Sequence, residues 1–168
     1  MLGAGTCFFG DLLNFADLPV NARAARQERR RSWTQRALAA TSGCDLIFAD
    51  PDNGIRPALH PVPGHRTKAV KHAYLGELAD FARRGQSLIA YHHADRSAAV
   101  EQQARRRLAD FAHDVPVTPI AAVRASRGTT RLFLVGAATP AQARYLTERI
   151  TSLDRSPWAG ELTAHWPD

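Results

Sequence analysis

Cysteine is nearly missing from this chain: Cys7 and Cys44 are the only two in 168 residues. So few and so far apart, they make neither a zinc-ligand pattern nor the framework of a disulfide-stapled scaffold. Two reduced, largely buried thiols in a cytoplasmic setting are expected. Long apolar runs are missing too. No stretch approaches the roughly 20 residues of a membrane span, and the N-terminus lacks the basic-then-apolar order of a secretory leader. Acid is in short supply: 16 Asp and Glu stand against 22 Lys and Arg, for a formal net charge of +6 and a pI near 10.1. Such an excess admits a polyanionic partner, because Lys and Arg neutralise phosphates and release their counterions. It equally describes an arginine-rich, solvated helix surface, and net charge does not speak to fold.

What is present suffices for a core. A hydrophobic fraction of 45% over this length fits one domain, residues 1–168, that needs no staples. Thr6 to Gly10 reads as a short strand, and Asn21 as the cap of a long helix from Ala22 to Thr41. That helix carries Arg23, Arg26, Arg29, Arg30, Arg31 and Arg36 on an outer, basic face, with Trp33 and Leu38 available to pack. Asp45 to Ala49 reads as a strand, and Ile55 to Gly64 as a Pro- and Gly-rich loop long enough to form a lid. Val70, Tyr74, Leu75, Leu78 and Phe81 fall at helical spacing and predict a helix over Lys68 to Arg83. A strand follows at Ser87 to Tyr91 and a helix at Ser97 to His113. Strands at Pro119 to Ala125 and Thr130 to Gly136 are joined as a hairpin by Ser126-Arg127-Gly128-Thr129. Thr139-Pro140 opens a last helix, and Leu162 to Trp166 reads as a final short strand. This order predicts a Rossmann-like α/β fold: a mostly parallel sheet, helices on both faces, and a C-terminal antiparallel hairpin.

The most informative stretch is Cys44-Asp45-Leu46-Ile47-Phe48-Ala49-Asp50-Pro51-Asp52-Asn53-Gly54. Its apolar run reads as a strand buried on both faces, and the Pro and Gly force the chain out of the sheet with polar side chains at the strand's carboxyl end. Ligands of open α/β sheets bind at that edge. If the strands at Asp45 and Ser87 are neighbours, Asp50, Asp52 and Asn53 meet His92, His93 and Asp95 there, with Arg124, Ser126 and Arg127 approaching from the hairpin. Gly54 is read as serving a turn that needs positive φ. Lys68, Lys71 and His72 open a helix where a phosphate would be welcome, although solvation is the favoured reading. Arg29-Arg30-Arg31 beside Trp33 has the charge and the ring to bind nucleic acid, whereas a Trp on a helix is more often core. His60 and His65 carry no assignable role.

From Gly10-Asp11 onward the layout resembles the second half of a class I S-adenosylmethionine-dependent methyltransferase: strand ending Gly-Asp, helix, central strand ending Asp50-Pro51, helix, strand, helix, terminal hairpin. In amine methyltransferases of that family the motif is Asp-Pro-Pro-Tyr, matched here by Asp50-Pro51-Asp52-Asn53. The resemblance implies methyl transfer to an amine, perhaps one carried by nucleic acid, with Asp50 and the Pro51 carbonyl accepting hydrogen bonds from the amine. It implies Asp50, Pro51, Asp52 and Asn53 as catalytic residues, and His92, His93, Asp95, Arg127 and Lys68 on the substrate. S-adenosylmethionine is the implied cofactor, at Gly10 and Asp11. Against that layout the chain looks N-terminally short, which would leave an apolar sheet edge for a homodimer or partner chain.

Two other classes stay open. Ile47 to Asp52 also resembles the first motif of haloacid-dehalogenase-like phosphatases, with Asp50 as nucleophile and Asp52 as general acid. More broadly, Asp50, Asp52 and His92, with His93 and Asp95, suit a divalent Mg or Mn site of a phosphatase or nuclease. Successive strand residues point to opposite faces, so His92 and His93 are not both expected on one ion. The third class is a non-catalytic binding module.

Overall fold

Arginine and alanine build the first element: the helix α1, Arg23–Ala40, in a computed structural model that describes residues 5–56 and 65–167. Ala22 holds its cap position and makes no side-chain cap bond, so the expected Asn21 cap is not used. The expected outer basic face is corrected as well. Arg26 and Arg30 are 3% and 7% exposed, turned inward onto the segment that precedes the next helix. Thr6 to Gly10 forms no strand; Phe9 packs edge-on against Trp33 at 5.3 Å, and Trp33 donates its indole N–H to the Asp11 carbonyl at 2.7 Å.

The remaining elements are β1 (Leu46–Ala49), β2 (Ile55–Arg56), β3 (Ala73–Tyr74), α2 (Leu75–Ala82), β4 (Ser87–His93), α3 (Val100–Asp114), β5 (Thr118–Ala125), β6 (Arg131–Ala137), α4 (Pro140–Thr151) and β7 (Leu162–His165). The helix expected over Lys68 to Arg83 is broken. Thr67–Lys71 is a 3-10 turn, β3 pairs in parallel with β2, and only then does α2 begin. The helical spacing holds only for Leu75, Leu78 and Phe81, because Tyr74 is extended at the helix cap and shares a capping box with Glu77. The proposed lid is Ile55–Arg56 as β2, then residues 57–64; those, with His60, and residues 1–4 lie outside the described residues.

The main sheet has the order β1-β4-β6-β5-β7, and β1–β4 is its one parallel pair. The expectation of a mostly parallel Rossmann-like sheet is therefore wrong: the sheet is mixed and mainly antiparallel. A five-residue link, Ser126 to Thr130, joins β5 to β6, far too short for the crossover of a dozen or more residues that a parallel neighbour needs. The β6 strand thus runs back between β4 and β5, antiparallel to both, and β7 adds antiparallel to the far side of β5.

The two faces of this sheet differ. On one, Ile47, Leu88, Ala90, Leu132 and Leu134 pack against Leu78 of α2 and Leu108 and Phe111 of α3. On the other, α4 sets Leu146 and Ile150 against Val123 and Val135 and so covers β5 and β6. The β1 end of that second face is bare. Leu46 and Phe48 are 42% and 57% exposed, so β1 is an edge strand open on one side and not the doubly buried strand expected. Cys7 is exposed and Cys44 half-buried, both free, where two buried thiols were expected; the Cys44 sulfur beside it raises the Cys7 thiol. No helix among the described residues is long and apolar enough to cross a membrane.

Candidate functional site

At the end of β1 the chain turns sharply. Pro51 is half-buried between the exposed Asp50 and Asp52, and its carbonyl accepts the Gly54 N–H at 3.0 Å, closing a four-residue turn. One lone pair of that carbonyl remains. Asp52 lies 3.7 Å from Lys71, and the Asn53 N–H donates to the Lys71 carbonyl at 2.8 Å. Gly54, at φ 80°, then passes against β4. A Cβ there would stand 2.7 Å from His92 Nδ1 and 3.0 Å from the His93 nitrogen, so this glycine answers both a positive φ and a close backbone approach. Sequence reading supplied only the first of these.

The β1–β4 pairing sets Ala49 beside Ala90, which brings Asp50 and Pro51 next to the Tyr91–His93 end of β4 as expected. The two histidines then part, as strand alternation requires. His93 is exposed and shares a hydrogen bond of 3.2 Å with the Tyr91 hydroxyl. His92 is 6% exposed, with the Ile55 N–H directed at Nδ1 (3.2 Å) and Arg107 Nε directed at Nε2 (3.1 Å). A neutral imidazole has one lone-pair nitrogen, so two donors leave no place for a second ring proton. Burial, then the Arg107 charge, pushes its pKa down to about 4, while Asp95 pulls the other way.

A consequence for stability follows. The folded pKa lies below the unfolded value near 6.5, so the fold is at full advantage above pH 6.5 and loses stability as pH falls toward 4. His92→Gln is expected to flatten this acid limb by about 2 kcal/mol between pH 7.5 and 4.5. Urea titrations of both proteins at the two pH values measure the difference, and parallel losses would refute the assignment to His92.

Around His92 lies a cluster that sequence reading missed. His72 is buried, bridging the Gly54 carbonyl through Nδ1 and Arg56 through Nε2, each at 3.3 Å, and burial with the Arg56 charge lowers its pKa. Arg107 also pairs with Asp110 at 3.2 Å, and Arg56 Nε is buried without a partner among the described residues. Buried Arg30 grips the Glu77 carboxylate through Nε (2.5 Å) and Nη2 (2.7 Å), and holds the carbonyls of Ala69 and His72 at 2.8 and 2.7 Å. No periodic pattern marks these residues, because each enters the cluster from a different element.

The other expected site residues have separate duties. Asp95 accepts the Ser97 N–H at 2.8 Å, which lowers its carboxyl pKa, and its own backbone is clasped by the Gln103 amide. Arg127 sits exposed in the hairpin, 3.6 Å from Glu161, and Lys68 is exposed on the 3-10 turn and not at a helix N-terminus. No group of three or more His, Cys, Asp or Glu side chains able to hold a metal forms among the described residues. Of the three residues of the alternative Mg or Mn reading, Asp52 lies beside Lys71 and His92 has a donor facing each ring nitrogen. Gly10 and Asp11 do not fit S-adenosylmethionine: they follow no strand, the position a Gly10 Cβ would take faces open space, and the Asp11 carboxylate is tied to Arg36 at 3.1 Å.

These features define an α/β domain with a mixed sheet and a polar cluster at the carboxyl end of its one parallel pair. No protein family, curated protein or solved structure matches this chain.

Proposed function

We propose that this chain supplies the amine-binding end of a methyltransferase-like site, with a nucleobase amine as substrate. The observation that carries this reading is the exposed Asp50 beside the half-buried Pro51, delivered by an edge strand beside β4, with the Pro51 carbonyl accepting the Gly54 N–H. A carboxylate and a carbonyl accept the two N–H bonds of an exocyclic amine and leave its nitrogen lone pair outward. S-adenosylmethionine is the methyl donor the resemblance implies, and Gly10 and Asp11 are withdrawn as its site. A phosphatase or nuclease centre on Asp50, Asp52 and His92 has less support, because Lys71 and the donors around His92 occupy two of the three.

Bases with and without an exocyclic amine separate these readings. Single-stranded oligo(dC) is expected to bind several-fold more tightly than oligo(dT) of the same length in fluorescence anisotropy, and Asp50→Asn to abolish the preference, as for loss of a charge-assisted hydrogen bond. Equal affinities in the unaltered protein would overturn the proposal.

A further inference from the structure

Basic α1 is the obvious place for a polyanion, yet all of its arginines but the exposed Arg23 are already engaged. Arg29 pairs with Asp17, whose carboxyl the Arg29 hydrogen bond draws down to about 2; Arg31 pairs with Glu28 and Arg36 with Asp11; Arg26 and Arg30 are buried. Trp33 is half-buried and packs edge-on against Phe9. The open surface with rings to offer is elsewhere.

On the bare side of the sheet, Phe48 stacks on Phe133 with ring centres 6.2 Å apart and planes 28° from parallel. Tyr91, opposite Phe133 in register, tilts against it at 5.9 Å. Three rings from three adjacent strands thus line one face, Phe48 being more than half exposed. The rim is basic. His93 and Arg131 face each other one step further along the same side, and Arg131 makes no ion pair among the described residues. The bare strip is bordered by α4, which reaches it where Gln142 donates to the Asp45 carbonyl at 3.2 Å. Tyr145 and Arg149 follow Gln142 at helical spacing; Tyr145 is 56% exposed, and the Arg149 guanidinium lies 5.1 Å from its ring centre. Asp50 follows Phe48 by two residues, so strand alternation directs it to this same side.

We infer that this face is a stacking platform for single-stranded nucleic acid. Bases lie on Phe48, Phe133 and Tyr91, and the backbone follows Arg131, His93 and Arg149. Base–aromatic stacking needs a ring with one open face, and phosphate tracking needs cations not already neutralised. Phe48 presents an open ring here and Arg131 and Arg149 make no ion pair among the described residues, whereas on α1 Trp33 is half-buried and Arg23 alone is unpaired; the net charge of +6 supplies the long-range attraction. The platform deepens the amine-site reading by naming its substrate class, but stacking does not depend on Asp50.

The test uses fluorescein-labelled oligo(dT), which has no exocyclic amine, against the full chain at 50 and 200 mM salt. Binding that weakens with salt, falls about tenfold or more in Phe48→Ala, falls severalfold in Arg149→Glu and is unchanged in the paired α1 variant Arg31→Ala supports the platform. Unaltered protein that does not bind, or Phe48→Ala that binds normally while keeping its melting temperature, overturns it. So does sedimentation showing a dimer that Phe48→Ala dissociates, which would assign the face to a second copy. Salt-dependent oligo(dT) binding without preference for dC leaves the platform standing and removes the amine site. A dC preference indifferent to Phe48→Ala does the reverse.

Discussion

Arg30→Ala is expected to destabilise the fold by about 3–5 kcal/mol, the cost of breaking a buried ion pair from one side. The guanidinium makes four hydrogen bonds, two to Glu77 and one each to the Ala69 and His72 carbonyls, and sits 4.4 Å from the Tyr74 ring centre. Without it, the Glu77 carboxylate keeps the Tyr74 N–H at 3.0 Å and shares the Thr34 hydroxyl, at 3.4 Å, with the Arg30 carbonyl at 3.1 Å. The His72 carbonyl also loses its Arg30 donor, at about 1–3 kcal/mol for a buried orphan, while the Ala69 carbonyl keeps the His72 N–H at 3.1 Å. Arg30→Lys should recover little, since an ammonium cannot hold a carboxylate bidentately and reach both carbonyls. Arg30→Met combined with Glu77→Leu should recover most of the pair's share, because the remaining charge is removed with its partner. In urea, taking a slope of about 2 kcal/mol/M, the Arg30→Ala midpoint should fall by about 2 M. A loss below about 1 kcal/mol would mean that α1 is not pinned through this residue. His72 lies within the same clasp, so loss of Arg30 should also loosen the cluster around His92.

The second large effect concerns Gly54→Ala, expected to cost about 3 kcal/mol. Placing an L-residue at φ 80° costs about 1–2 kcal/mol. The added methyl would meet His92 Nδ1 at 2.7 Å, the His93 nitrogen at 3.0 Å and the His92 Cα at 3.1 Å, and two of those three are backbone of a central strand that has little room to move. Gly85 separates the two contributions. Its φ is 82°, yet a Cβ there meets nothing within 4 Å, so Gly85→Ala carries the conformational cost alone. Thermal or urea unfolding of the two variants should show Gly54→Ala the more destabilised by 1–2 kcal/mol. Equal losses would remove the close approach as a cause.

Local chemistry was readable wherever one element carried its own signal. The limits of α1, β1, β4, α3, β5, β6 and β7 fell within about three residues of their expected positions, because periodicity, glycine stops and the Ser126-Arg127-Gly128-Thr129 turn are properties of neighbouring residues. The Thr139 cap with Pro140 behind it opened α4 as expected, its hydroxyl accepting the Gln142 N–H at 3.2 Å. The adjacency of β1 and β4 entered only as a condition, because strand order is not a property of neighbouring residues. The Lys68 to Arg83 segment misled because apolar spacing alone cannot register that Ala73 and Tyr74 find a strand partner eighteen residues upstream, at Ile55 and Arg56.

The site divided along the same line. Asp50, Pro51, His92 and His93 were recognisable as strand-end polar residues. That His92 is sealed between Ile55 and Arg107 while His93 faces water depended on which side of β4 received α3. Arg56 and Arg107 gave no signal, and Arg30 and His72 were read only as parts of basic stretches: arginine in a helix reads as solvated until a distant carboxylate such as Glu77 is brought to it.

By itself, then, the sequence determined the kinds of element, the hairpin and the placement of an Asp-Pro turn at a strand's end, because these depend on bonds and contacts a few residues apart. Tertiary structure decided the mixed strand order, the inward turn of the α1 arginines and the bare aromatic face of β1. Those outcomes rest on which surfaces remain to be covered once the helices have docked, a competition among distant segments that local pattern does not encode.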